Sequence, residues 1–199
     1  MAVDLHDPAA RRRFYIQMAK KRVRPGSGSG PETLWARTWR RPVFDLRTIT
    51  AIPFVVIGGV ATRLYAPERV TDDLDILIEA RNAAILTADI EHAGGVCQCE
   101  LNKMALDVLA ENAPWVAEAV TNPASAPDGL PVISLPYLVL MKMRASRGID
   151  IGDLTRVLGA ADDDAIAEVG RVIAAHLPDG VEDLEGLIYL GRLEYEQPN

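Results

Sequence analysis

Residues 54–79, FVVIGGVATRLYAPERVTDDLDILIE, constrain the fold more than any other stretch of the chain. The apolar run 54–57 predicts a short buried strand. Gly58 and Gly59 follow directly. Glycines there predict a tight turn that opens a helix and leaves backbone N–H groups within reach of a phosphate. A helix over 60–65 is expected, stopped by Pro67. Arg69, Thr71, Asp72 and Asp73 then lead through Leu74 and Asp75 into a second β-rich run, 76–78.

Side chains alternate faces along a strand, so Asp73 and Asp75 share one face while Leu74, Ile76 and Ile78 enter the core. Two aspartates on one face repel each other and are costly to desolvate. A divalent cation removes that penalty, and Mg²⁺ prefers carboxylate oxygens together with those of a bound phosphate chain. The D-x-D spacing alone is equally well met by an edge strand with solvated acids. The adjoining glycine turn and the Arg69/Thr71 loop shift the balance toward a phosphate and metal site.

The order apolar strand, G-G-x-A, short helix and loop, then R-x-T-x-D-x-D resembles the minimal nucleotidyltransferases of the DNA polymerase β superfamily. The nearest branch is that of the AbiEii-like toxins of toxin–antitoxin and phage-defence systems. The matching residues are Gly58, Gly59, Ala61, Arg69, Thr71, Asp73 and Asp75. The resemblance implies a third carboxylate on a strand beside the D-x-D strand, and Asp107, an acid within the apolar run 104–109, is the strong candidate. Pro136 to Asp153 resembles the helical segment downstream of the core in the same group, and this implies that Lys142 approaches the triphosphate. A salt-bridged structural lysine is the competing reading. Many members carry Gly-Ser at the turn; Gly59 here leaves only backbone contacts. Asp72 adds an acid that blurs the register of the motif by one residue.

The resemblance covers residues 43–160 and implies an α/β (α+β) fold, a small mixed sheet with flanking helices and a C-terminal helical segment. The expected organisation is a basic arm and linker over 1–42, a core over 43–135 and a helical segment over 136–199. The implied activity transfers a nucleoside monophosphate from an NTP to an acceptor hydroxyl. Asp73, Asp75 and Asp107 would hold two Mg²⁺ ions, with Mn²⁺ as a substitute. Gly58 and Gly59 would cradle phosphate, with Arg69, Thr71 and Lys142 completing the nucleotide contacts. The implied acceptors are tRNA or a protein, and a cognate toxin or antitoxin is an implied partner. The alternative is a non-catalytic protein that keeps this fold and acts within a toxin–antitoxin pair. A dinucleotide-binding domain is disfavoured, because neither G-x-G-x-x-G nor G-K-[ST] occurs.

Charge sharpens the picture. The net charge is −7, yet residues 1–47 carry eleven Lys/Arg against four Asp/Glu. A basic arm on an acidic body either contacts nucleic-acid phosphates or folds back on that body. No apolar run approaches the roughly 20 residues a membrane helix needs, so no membrane partner is expected. The two cysteines, Cys97 and Cys99, are too few for a zinc site and poorly spaced for a disulfide, which favours a reducing cytoplasm.

Along the chain, Asp7-Pro8 predicts a helix start and a basic helix to about residue 22. Residues 24–31 read as linker, 32–41 as a helix carrying Trp35 and Trp39, and 43–51 as a short helix. Helices are further predicted over 81–93, 112–120, 136–146, 154–160, 162–177 and 181–196. Strands are predicted over 96–101, 104–109 and, at the sheet edge, 131–135. Arg147 with Asp150 or Asp153 is expected to form structural ion pairs.

Overall fold

A computed structural model describes residues 4–27, 45–66, 73–95 and 106–196. Along the chain the elements are α1 (Pro8–Lys20), β1 (Val55–Ile57), α2 (Gly58–Thr62), β2 (Leu74–Glu79), α3 (Ala83–His92), β3 (Leu106–Glu111), α4 (Pro114–Thr121), β4 (Ala124–Ser125), β5 (Pro131–Val132), α5 (Leu135–Ala145), α6 (Gly148–Ala160), α7 (Asp163–His176) and α8 (Val181–Tyr195). The fold is a mixed α/β one: a five-stranded sheet with flanking helices and a C-terminal run of helices. Among the described residues no helix is long and apolar enough to cross a membrane. The residues form two compact units, one holding the sheet and one helical.

In the sheet unit the strand order is β3-β2-β1-β5-β4. β1 runs antiparallel to β2 and parallel to β5, and β2 runs parallel to β3. Val55, Val56, Ile76, Leu77 and Ile78 are fully buried, which is why these two strands read as near-continuous apolar runs. Each such side chain contributes about 1.5–3 kcal/mol by leaving water. α4 covers the sheet with Trp115, Val116, Ala119 and Val120.

Three details differ from the sequence expectations. The helix after β1 begins at Gly58 rather than at residue 60 and is only five residues long. Over 43–51 the described residues form a single 3₁₀ turn, Leu46–Thr48, capped by the Asp45 side chain. The segment at Pro131 is an inner strand, because β4, where no strand was predicted, pairs outside it. Pro131 is tolerated there as the first residue of a two-residue strand, and the next ladder donor is Ile133 N–H, which reaches the Val56 carbonyl. The predicted helix over 32–41 and strand over 96–101 lie outside the described residues.

The helical unit gathers α1 with α5 to α8. Asp7 caps α1, accepting from Ala9 N–H and Ala10 N–H at 3.3 and 3.0 Å. The helix of the basic segment is therefore a built-in part of this bundle. Arg12 is 1 % exposed; it donates to Asp183 at 2.6 Å and to the Met143 carbonyl at 3.2 Å. Arg11 donates to the Ala145 and Ser146 carbonyls at the end of α5, satisfying groups a helix terminus leaves open. α6 and α8 cross at Gly159 and Gly191, where a Cβ on either would run into the facing backbone. α6 begins at Gly148, earlier than its apolar pattern suggests, because the Asp150 carboxylate accepts from Arg147 N–H at 3.1 Å and from Arg147 Nε at 2.8 Å.

Candidate active site

The D-x-D motif straddles the start of β2. Asp73 is the exposed residue before the strand, and Asp75 is its half-buried second position. The parallel ladder pairs Asp75 with Asp107, Leu74 with Leu106 and Ile76 with Val108. Paired residues of neighbouring strands point to the same face and sit about 4.8 Å apart; positions two apart along a strand sit about 6.6 Å apart. The sheet thus sets Asp75 beside Asp107, and Asp73 precedes the first residue of the ladder. Asp107 is exposed. Two like charges at such a separation repel by about 1 kcal/mol in water and by more where solvent is excluded.

The glycine turn meets this pair from β1. Ile57 is the antiparallel partner of Asp75, so the next residue, Gly58, arrives beside the Asp75 side chain. Gly58 has φ +67°, and any Cβ there would overlap the Asp75 carboxylate. Glycine is needed on both counts: a left-handed backbone and room for the acid. The Thr62 hydroxyl donates to the Gly58 carbonyl at 3.0 Å and ties the turn to the end of α2. Gly59 is buried inside α2.

An open cleft of about 520 Å³ passes the paired acids. Its walls are Ile57, Ala83, Leu86 and Thr87 together with residues 106–110 of β3, and Asp75 and Asp107 lie in it. Ala83, Leu86 and Thr87 of α3 were not singled out in the sequence. Nothing in an ordinary amphipathic helix pattern marks a cleft wall.

The other expected site residues are placed differently. Lys142 is buried in the helical unit, 6 % exposed, with Nζ 2.6 Å from Asp153 and 3.7 Å from Asp150. Arg147 reaches Asp150 at 2.8 Å and Arg156 reaches Asp153 at 3.7 Å. The ammonium expected to approach a triphosphate is thus the centre of an internal ion network. Its neighbours explain this: a buried ammonium must be paired, and two buried carboxylates lie one and two turns into the next helix. Arg69 and Thr71 lie outside the described residues, as do Asp72, Cys97 and Cys99.

The metal expectation meets a mixed result. Among the described residues no group of three or more His, Cys, Asp or Glu side chains is gathered to hold an ion. Asp73, Asp75 and Asp107 are therefore not a closed triad, and register explains why: only Asp75 and Asp107 are direct neighbours. The donor chemistry still fits Mg²⁺ in its usual protein setting, one or two carboxylates with the remaining positions taken by water and substrate phosphate.

A scan against protein-family models and a search of curated proteins each found no significant match.

Proposed function

We propose that the chain is a metal-dependent nucleotidyltransferase that moves an NMP from an NTP to an acceptor hydroxyl and releases pyrophosphate. The observation that carries this reading is the side-by-side placement of Asp75 and Asp107 on adjacent strands, against a turn whose Gly58 has no room for a side chain. The motif order resembling the polymerase β superfamily and its AbiEii-like branch supports the same reading.

Mg²⁺ arriving with the triphosphate would neutralise its charge and that of the departing pyrophosphate. Asp73 and Asp75 would receive that ion on the sheet face. Asp107, exposed in the cleft, would orient the acceptor hydroxyl and take its proton. The acceptor oxygen forms a bond to the α-phosphorus as the bond to the bridging oxygen of pyrophosphate breaks. Gly58, by making room for the Asp75 carboxylate, would keep that acid against the turn where the phosphate chain is received. Of the two cations that the resemblance supplies, Arg69 would balance charge on the pyrophosphate, and Lys142 is paired with Asp150 and Asp153. In this reading the acceptor is tRNA or a protein, in a toxin–antitoxin or phage-defence setting.

A labelling assay tests it. Purified protein is incubated with Mg²⁺ or Mn²⁺, each α-labelled NTP in turn, and total RNA or protein as acceptor. Label that moves to an acceptor and is lost in Asp73→Ala/Asp75→Ala supports transfer and identifies the acceptor class.

Two observations favour a second reading, a non-catalytic partner that keeps the fold: the three carboxylates do not close on one another, and Lys142 is engaged internally. Stable co-purification with one partner protein, with no transfer from any NTP, would select it.

A further inference from the structure

The cations of α1 divide into two groups. Residues 8–24 hold seven Lys/Arg and no Asp/Glu. Arg11 and Arg12 point into the helical unit, as described above. Arg13, Lys20, Lys21, Arg22 and Arg24 are exposed. Four of these crowd the last turn of α1 and the residues just after it, at the negative end of the helix dipole, which suits them but does not consume them.

This end of α1 lies along α8. Ile16 and Lys20 face Gly186, and Gly26 N–H donates to the Leu193 carbonyl at 3.3 Å. Tyr189 sits between those two points on α8, one turn beyond Gly186 and one turn before Leu193. It is 63 % exposed, the most exposed of the large apolar and aromatic residues among those described. A groove of about 170 Å³ runs between the helices, walled on one side by Arg13, Gln17 and Lys20. The acids at its other wall, Glu182 and Asp183, sit at the Arg13 end, and Asp183 is already held by Arg12 and Arg13. The Lys20–Arg24 end is thus dense in cations and carries a projecting aromatic ring.

Closely spaced cations beside an exposed aromatic ring fit a single-stranded nucleic acid, whose phosphates take the charge and whose unstacked base takes the ring. A folded duplex offers no free base face. A lipid surface would be met by apolar side chains around the ring, and Glu185, one turn before Tyr189 on α8, is exposed. We propose that the α1–α8 face binds single-stranded RNA, with Lys20, Lys21 and Arg24 on consecutive phosphates and Tyr189 stacked on a base. This stands apart from the nucleotide chemistry proposed above, because binding is read without NTP or metal.

Fluorescence anisotropy of the full chain with a labelled oligouridylate of about twelve nucleotides tests it. Binding should weaken with salt. Lys20→Ala/Lys21→Ala/Arg24→Ala should lower affinity at least about tenfold at low salt and flatten the log–log salt slope by about 2, close to 0.7 for each of three phosphate contacts. Tyr189→Ala should cost about 5- to 100-fold, while Tyr189→Phe keeps the wild-type affinity. All four positions are exposed, and far-ultraviolet circular dichroism checks that the variants fold. No binding at low salt, or equal binding by wild type and both sets of variants, would overturn the proposal. So would equal affinity for a duplex of the same length, or binding to phosphatidylserine vesicles without binding to RNA.

Discussion

The two units of this chain treat their acids in opposite ways. In the helical unit Asp150, Asp153 and Asp183 are nearly sealed from water, and each is matched by Lys142, Arg147 or Arg12. In the sheet unit Asp73 and Asp107 are exposed, and among the described residues neither forms an ion pair with a Lys or Arg side chain. Buried carboxylates with internal partners hold helices in place. In the function proposed above, the acids of the sheet face would instead receive a metal ion. Mutation should therefore separate the two sets: stability depends on the first, chemistry on the second.

The largest expected effect is in the helical unit. Lys142→Met leaves Asp150 and Asp153 buried without their ammonium and should cost about 3–5 kcal/mol in urea unfolding. Asp107→Asn should move the same transition by less than about 0.5 kcal/mol, as an exposed residue does, while abolishing any nucleotide transfer. Equal losses of stability at the two positions would break the comparison.

Gly58→Ala comes next. The left-handed backbone costs an alanine about 1–2 kcal/mol, and the new methyl must displace the Asp75 carboxylate. A total of about 2–3 kcal/mol in urea unfolding is expected, and metal-dependent NTP binding should fall with it. Asp7→Ala should cost about 1 kcal/mol, the usual worth of a helix cap, and its effect on thermal unfolding reports whether α1 is part of the cooperative helical unit.

The smallest effect sharpens the rule through an exception. Glu194 is half-buried, and desolvation raises its pKa more than Arg156 and the Thr155 hydroxyl lower it. An acid with a raised folded-state pKa stabilises below its ordinary 4.5 and loses that contribution as pH rises through the raised value. Glu194→Gln should therefore flatten the fall of stability above pH 4.5 and leave the variant slightly more stable at neutral pH, read from urea midpoints across that range.

Much of the architecture was legible because local signals agreed with the tertiary result. The valines of β1, the apolar run 76–78 of β2 and the Asp7-Pro8 start of α1 each satisfy local propensity and burial together. β4 was hidden because Ala124 and Ser125 lie between Pro123 and the Pro127-Asp128-Gly129 turn, and their strand exists only through pairing with β5. The first turn of α6 was hidden because Gly148 and Ile149 are poor helix starters, and Asp150 with Arg147 compensates through hydrogen bonds that periodicity does not encode. At the candidate site, the resemblance implied a strand carrying Asp107 beside the D-x-D strand, while the register that pairs Asp107 with Asp75 came only with the fold. The burial of Lys142 turned on which partners the fold supplied, a property of packing rather than of spacing.

The central claim is that the Asp75–Asp107 face receives a metal-bound nucleotide. Isothermal titration of NTP into the full chain with and without Mg²⁺ tests it most directly, with Asp75→Asn and Asp107→Asn alongside. The account predicts Mg²⁺-dependent binding that Asp75→Asn removes, with the exposed-site variant Asp107→Asn as stable as wild type in urea. Nucleotide binding that is indifferent to Mg²⁺ and to both substitutions, or no binding of any NTP, would contradict it.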